Sequence, residues 1–154
     1  MQKALNANIH QTVVDLIDSS RLQLDPNAKL IQEWTLYSNG SWWLIGQVNE
    51  YRQPHGVARM IETDGWWIKE GSFVNGKLTG FGRHIGWNYY YIGEFKDGKY
   101  HGQGTYINSN GTYKGAFVNS DFHGHGTFTT NQGNVHAGVW NKDKLNGVYF
   151  NNLK

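Results

Sequence analysis

The sequence predicts an all-β chain: an elongated, twisted antiparallel sheet of stacked β-hairpins, with one capping helix at the N-terminus. Three observations predict it. Runs that alternate aromatics with glycine recur along the chain. Tyr91, Gly93 and Phe95 share one side of a strand, and Gly102, Gly104 and Tyr106 share one side of the next. The glycines also keep time. One set falls at Gly46, Gly71, Gly93, Gly115 and Gly138, in steps of 25, 22, 22 and 23 residues. A second falls at Gly56, Gly80, Gly102, Gly124 and Gly147, in steps of 24, 22, 22 and 23. Finally, turn dipeptides punctuate the runs, Asp97-Gly98 within a unit and Asn39-Gly40, Asp64-Gly65, Asn110-Gly111 and Gln132-Gly133 between units. A glycine beside aromatics leaves bare backbone on which a ring can rest, where a Cβ would lift it away.

Residues 1–29 read as a helix and a linker, and residues 30–154 as the hairpin array. Ile9, Val13, Leu16, Ile17 and Leu24 follow helical spacing, with Asp15 and Asp18 turned elsewhere, so an amphipathic helix is expected from Asn8 to Leu24. Asp25-Pro26 ends it, because the residue before proline avoids helical geometry. Repeat arrays need a terminal cover, and capping is the role this helix is expected to play; docking a partner helix is the alternative. Leu30 to Tyr37 and Ser41 to Val48 form the first hairpin about Asn39-Gly40. Hairpins of 22 to 25 residues follow to the end, each advancing the sheet by about 10 Å, so five units make a ribbon of about 50 Å.

Trp42-Trp43 and Trp66-Trp67 follow successive inter-unit turns, and each pair must send one ring to either face. Rings on both faces exceed what one sheet side hides, which predicts that one set meets a partner. The candidate contact residues are Trp42, Trp43, Trp66, Trp67, Tyr91, Phe95, Tyr113, Phe117 and Trp140, joined by His101 and His123.

Composition narrows the function classes. Twenty glycines in 154 residues is about double the usual share of roughly 7 %, yet they are periodic, and aromatics at 15 % mark a folded chain. A net charge of +2 with scattered Lys and Arg argues against nucleic acid as the main partner. The absence of cysteine removes disulfides, metal thiolates and a thiol nucleophile, and fits a reducing compartment. No apolar run reaches the roughly 20 residues of a membrane helix.

The Tyr91 to Tyr106 stretch, with its turn at Gly98 and its His101-Gly102 pair, resembles the MORN repeat. The resemblance covers about Trp43 to Tyr149, roughly five copies. The unit from Tyr113 to Phe128 keeps the pattern except for Ser120 at the turn glycine; the last departs at His136, Asp143 and Asn146. The resemblance implies a non-catalytic scaffold or structural subunit that mediates protein interaction or dimerisation in cytoskeletal, ciliary or membrane-associated assemblies inside the cell. Two alternatives come with it: a module that binds acidic phospholipid headgroups, giving peripheral membrane contact, and the targeting appendage of a separate enzyme.

No catalytic, cofactor or metal site is expected. His55, His101 and His123 occupy equivalent positions, so His101 and His123 stand about 10 Å apart. Two zinc ligands cannot be much more than about 4 Å apart. His123 and His125 share a face, but no third ligand is evident. Gly80-Phe81-Gly82 and Gly102-Gln103-Gly104 lack the third glycine and the following helix of a dinucleotide site. No G-x-S-x-G elbow exists, and Glu70, Glu94 and Asp97 fall at strand or turn positions that read as solvated.

Overall fold

The computed structural model of the protein describes residues 25–37, 40–62 and 67–149. The expected helix from Asn8 to Leu24, and Trp66, lie outside the described residues. The described chain is one antiparallel sheet of twelve strands in simple sequence order. These are β1 (Lys29–Tyr37), β2 (Gly40–Val48), β3 (Pro54–Glu62), β4 (Ile68–Val74), β5 (Lys77–Ile85), β6 (Tyr89–Lys96), β7 (Lys99–Asn108), β8 (Gly111–Val118), β9 (Asp121–Thr130), β10 (Val135–Asn141), β11 (Lys144–Leu145) and β12 (Val148–Tyr149). Every strand pairs with its neighbours in sequence, so hairpins stack without a crossover.

The turns within units are two-residue loops with both residues at positive φ, the geometry that matches the twist of a hairpin. Asn75-Gly76 and Asp97-Gly98 adopt it, with φ of 46° and 82°, and of 52° and 79°. Asn119-Ser120 and Lys142-Asp143 adopt it without glycine, with φ of 53° and 74°, and of 50° and 63°. Side chains compensate there. The Ser120 Oγ accepts from the Tyr100 amide at 3.2 Å, and the Asp143 Oδ1 from the Phe122 amide at 2.7 Å. These turns also staple one repeat to the last. The amides of Gly76, Gly98, Ser120 and Asp143 donate to the carbonyls of Pro54, Leu78, Tyr100 and Phe122 at 2.8–3.1 Å. Between units the reversal expected at Asn110-Gly111 centres one residue earlier, because Asn108 Oδ1 gathers the amides of Asn110 and Gly111 at 2.9 and 3.2 Å.

Register joins glycines from different units into one line across the sheet. Gly46 faces Ala58, Ala58 faces Gly71, and Gly71, Gly82, Gly93, Gly104, Gly115, Gly126 and Gly138 continue it strand by strand from β4 to β10. Facing backbones on this line come so close that a Cβ on Gly71 or Gly93 would stand 2.5 Å from the opposite Cα. The second glycine set does something else. Between the pairs Gly93↔Gly104 and Phe95↔Tyr100, β6 has one residue where β7 has three. Gly102, at φ 61°, lets β7 absorb the surplus as a bulge. Gly102 is thus not the ring seat that alternation suggests; a Cβ there would meet Glu94, not an aromatic.

The core lies on one face, the aromatic face. Tyr91 rests on the glycine line, where a Cβ on Gly104 would stand 2.5–2.7 Å from its Oη, Cε2 and Cζ. Tyr100 stacks on it at 3.8 Å, and Phe95 and Phe117 meet its edges at 5.0 Å. One repeat later Phe122 stacks on Tyr113 at 3.8 Å, with Phe117 and Trp140 edge-on at 5.1 and 5.4 Å. The Tyr91 hydroxyl donates to the Glu94 carbonyl at 2.8 Å, and the Tyr113 hydroxyl to that of Ala116 at 3.1 Å. Full burial contributes about 1.5–3 kcal/mol per large apolar side chain, which is how one layer of strands holds itself together.

Candidate functional site

The structure sorts the sequence-predicted contact residues into two groups. Trp42, Tyr91, Phe95, Tyr113, Phe117 and Trp140 are 0–4 % exposed. These rings are already packed in the hydrophobic core, so the expectation that they face a partner is corrected. Burial also raises the Tyr91, Tyr100 and Tyr113 hydroxyls well above the ordinary phenol range. Trp43, Trp67, His101 and His123 are half-buried. His101 and His123 serve the core through their backbones, each offering its carbonyl to a tyrosine hydroxyl, Tyr91 at 3.5 Å and Tyr113 at 3.4 Å. Their equivalent His55 bonds a turn, as Nδ1 accepts from the Asn75 amide at 3.3 Å, while its Nε2 lies 3.3 Å from Asp25.

Tyr100 and His84 carry weight that the repeat signature missed. His84 sits among Trp67, Tyr89 and Tyr100, with ring centroids 5.8, 5.2 and 6.2 Å away. Its Nδ1 lies 3.1 Å from the Tyr100 hydroxyl and its Nε2 3.1 Å from the Tyr89 hydroxyl. Burial, helped by the nearby Lys69 charge, brings its pKa down to about 4. Between that value and the unfolded one near 6.5, the unfolded chain binds a proton that the folded chain refuses, so stability falls as pH drops through this window. The full loss approaches about 3 kcal/mol, at roughly 1.4 kcal/mol for each pH step between the folded and unfolded values. Melting curves at pH 7 and pH 4.5 should therefore separate more for the native chain than for His84→Gln; equal separations would refute the assignment.

The opposite face changes character along its length. One row runs Ile45, Arg59, Glu70, Arg83, Ile92, Thr105, Lys114, Thr127 and Ala137. Over β3 to β5 it is closed: Arg59, Glu70 and Arg83 are 7, 2 and 3 % exposed. Glu70, expected to be solvated, instead bridges two guanidiniums, taking Arg59 Nε on Oε2 at 2.8 Å and Arg83 Nε on Oε1. Burial pushes the Glu70 carboxyl up and the Arg59 guanidinium down, and each draws the other back.

From β5 to β9 the same face opens into a trough of about 680 Å³. Gly93, Gly104, Gly115 and Gly126 floor it, and Phe81, Ile92, Gln103, Thr105, Lys114, His125 and Thr127 line it. Beyond its rim Ile107, Val135 and Val139 are 41, 63 and 53 % exposed. Apolar side chains, hydroxyls and one ammonium thus stand above bare backbone. Among the described residues no group of three His, Cys, Asp or Glu could hold a metal ion.

A meander of paired hairpins, stapled turn to turn, with an aromatic stack at Tyr91–Tyr100 and again one unit later at Tyr113–Phe122, defines a repeat protein of the β-hairpin class. Residues 70–86, 91–112 and 113–135 match the family model of the MORN repeat. No curated protein matches the chain.

Proposed function

We propose that the protein is a non-catalytic scaffold subunit that holds a partner protein in the trough over β5 to β9. One observation carries the reading: this half of the face opposite the core is open and keeps Ile107, Val135 and Val139 in water. The glycine floor lets a partner backbone approach closely, and the flanking threonines, Gln103 and Lys114 supply hydrogen bonds that set register. The assembly it serves would be cytoskeletal, ciliary or membrane-associated, as the MORN resemblance implies.

A photo-reactive benzoylphenylalanine at Thr105 or Val139 should give the same protein adduct from both positions in native extract, and none from Asp97 in an exposed turn. Adducts of equal yield from all three positions would defeat the reading. Flotation with anionic vesicles at physiological salt, abolished by Lys114→Glu, would move the assignment to lipid headgroups.

A further inference from the structure

The ring seat on the aromatic face is filled in two units and not in the one before them. Tyr91 on β6 leads Gly93 and Phe95, and Tyr113 on β8 leads Gly115 and Phe117, whereas on β4 the residue ahead of Gly71 and Phe73 is Lys69. Tyr91 is enclosed by Tyr100, Phe95 and, from the next unit, Phe117. Tyr113 is enclosed in the same way by Phe122, Phe117 and Trp140. The corresponding residues about Lys69 are Leu78, Phe73 and Phe95, and all three line a cavity of about 250 Å³. The walls of a ring seat are thus in place around a side chain that has no ring.

Lysine does not take the seat. Its ammonium reaches to another wall, 5.4 Å from the centroid of the Trp42 ring. A Cβ on Gly104 would press on Tyr91, but the three nearest atoms to a Cβ on Gly82, its equivalent on β5, belong to Glu70, Leu78 and Gly71, none of them to a ring. The size of the space suits one ring with a short chain. It exceeds the roughly 150 Å³ that accommodates benzene, and falls below the roughly 300–1,000 Å³ of sites for drug-sized molecules.

Charge narrows the occupant further. The lining carries two ammoniums, Lys69 and Lys77, and no carboxylate. Lys77 is exposed, but Lys69 is half-buried and makes no ion pair among the described residues. Burial lowers its pKa from the ordinary lysine value, and the Glu62 charge, from beyond the lining, draws it back only in part. A half-buried cation beside an apolar space gains when an anion is brought to it.

We propose that this cavity binds a small aryl carboxylate, its ring between Phe73 and Phe95 against Leu78 and its carboxylate on the Lys69 ammonium. The ligand supplies the ring that Tyr91 and Tyr113 supply from the chain. The site lies on the opposite side of the sheet from the trough over β5 to β9 and does not depend on a partner there.

Met60 is a wall of the cavity and one of two methionines in the chain, so its ε-methyl is a resolved NMR probe. In the full chain, labelled at the methionine methyls, phenylpropionate should shift the Met60 signal saturably, with a Kd of about 1 mM or below. Phenylpropanol, of similar shape without the charge, should bind at least about tenfold more weakly. Lys69→Met should erase that preference while the ring still binds. Lys69→Tyr, which fills the seat from the chain, should abolish binding of both compounds and raise the melting temperature by a few degrees. The proposal is overturned by a Met60 signal that does not shift saturably, by equal affinity of the native chain for acid and alcohol, by an acid preference that survives Lys69→Met, or by undiminished binding in Lys69→Tyr.

Discussion

Gly104→Ala is expected to destabilise the protein by about 3 kcal/mol, the upper end for overpacking a buried site. The new methyl would stand 2.5–2.7 Å from Oη, Cε2 and Cζ of Tyr91, closer than side-chain carbons approach. The ring cannot retreat. Tyr100 stacks on it at 3.8 Å, Phe95 and Phe117 close its edges at 5.0 Å, and its hydroxyl is bound to the Glu94 carbonyl at 2.8 Å. Gly98→Ala is the control. Nothing lies within 4 Å of its Cβ, but φ is 79°, so only the left-handed backbone cost of about 1–2 kcal/mol applies. Urea melts of the two variants should differ in midpoint by well over their error. Equal losses would mean that the glycine line is about backbone conformation and not about seating rings.

The sequence made much of this legible. The period located the hairpins, and Asn75-Gly76 and Asp97-Gly98 announced their turn type. What it hid was pairing between units. Gly46, Gly93 and Gly138 lie in one strand of a unit and Gly82, Gly104 and Gly126 in the other, and only register across many strands aligns them. The bulge likewise separates two glycines that alternation would treat alike: Gly104 seats a ring and Gly102 bends the strand. One signal was available and unused. An apolar residue stands two places before each glycine of the second set, at Pro54, Leu78, Tyr100, Phe122 and Leu145. The first four accept the turn staples, and Tyr100 and Phe122 are also the stacking partners.

The candidate surface was less legible, for a physical reason. Counting rings shows that one face cannot hide them all, but not which face keeps them. The fold assigns Tyr91 and Tyr113 to the core because each rests on backbone that glycine leaves bare, and Phe95, Phe117 and Trp140 because they pack edge-on against those two rings. The proposed contact surface falls instead on Thr105, Lys114, Thr127 and Val139, which no aromatic count would find. Ser120 and Asp143, which depart from the repeat pattern, keep the turn by supplying an acceptor oxygen in place of conformational freedom.

Glu70→Gln should cost about 3–5 kcal/mol, the range for removing one partner of a buried ion pair. The amide keeps the shape of the carboxylate but not its charge. Arg59 and Arg83 then face each other across two strand spacings, about 10 Å, with no anion between them and little water to solvate them. Replacing all three together, Arg59→Met, Glu70→Leu and Arg83→Met, should recover most of that loss, because apolar side chains suit a dry site without needing partners. If Glu70→Gln costs less than about 1 kcal/mol in a urea melt, the row behaves as a surface ion pair does, open to water. A large single loss with a small triple loss requires that the charges be sealed from water, as their 2–7 % exposure implies.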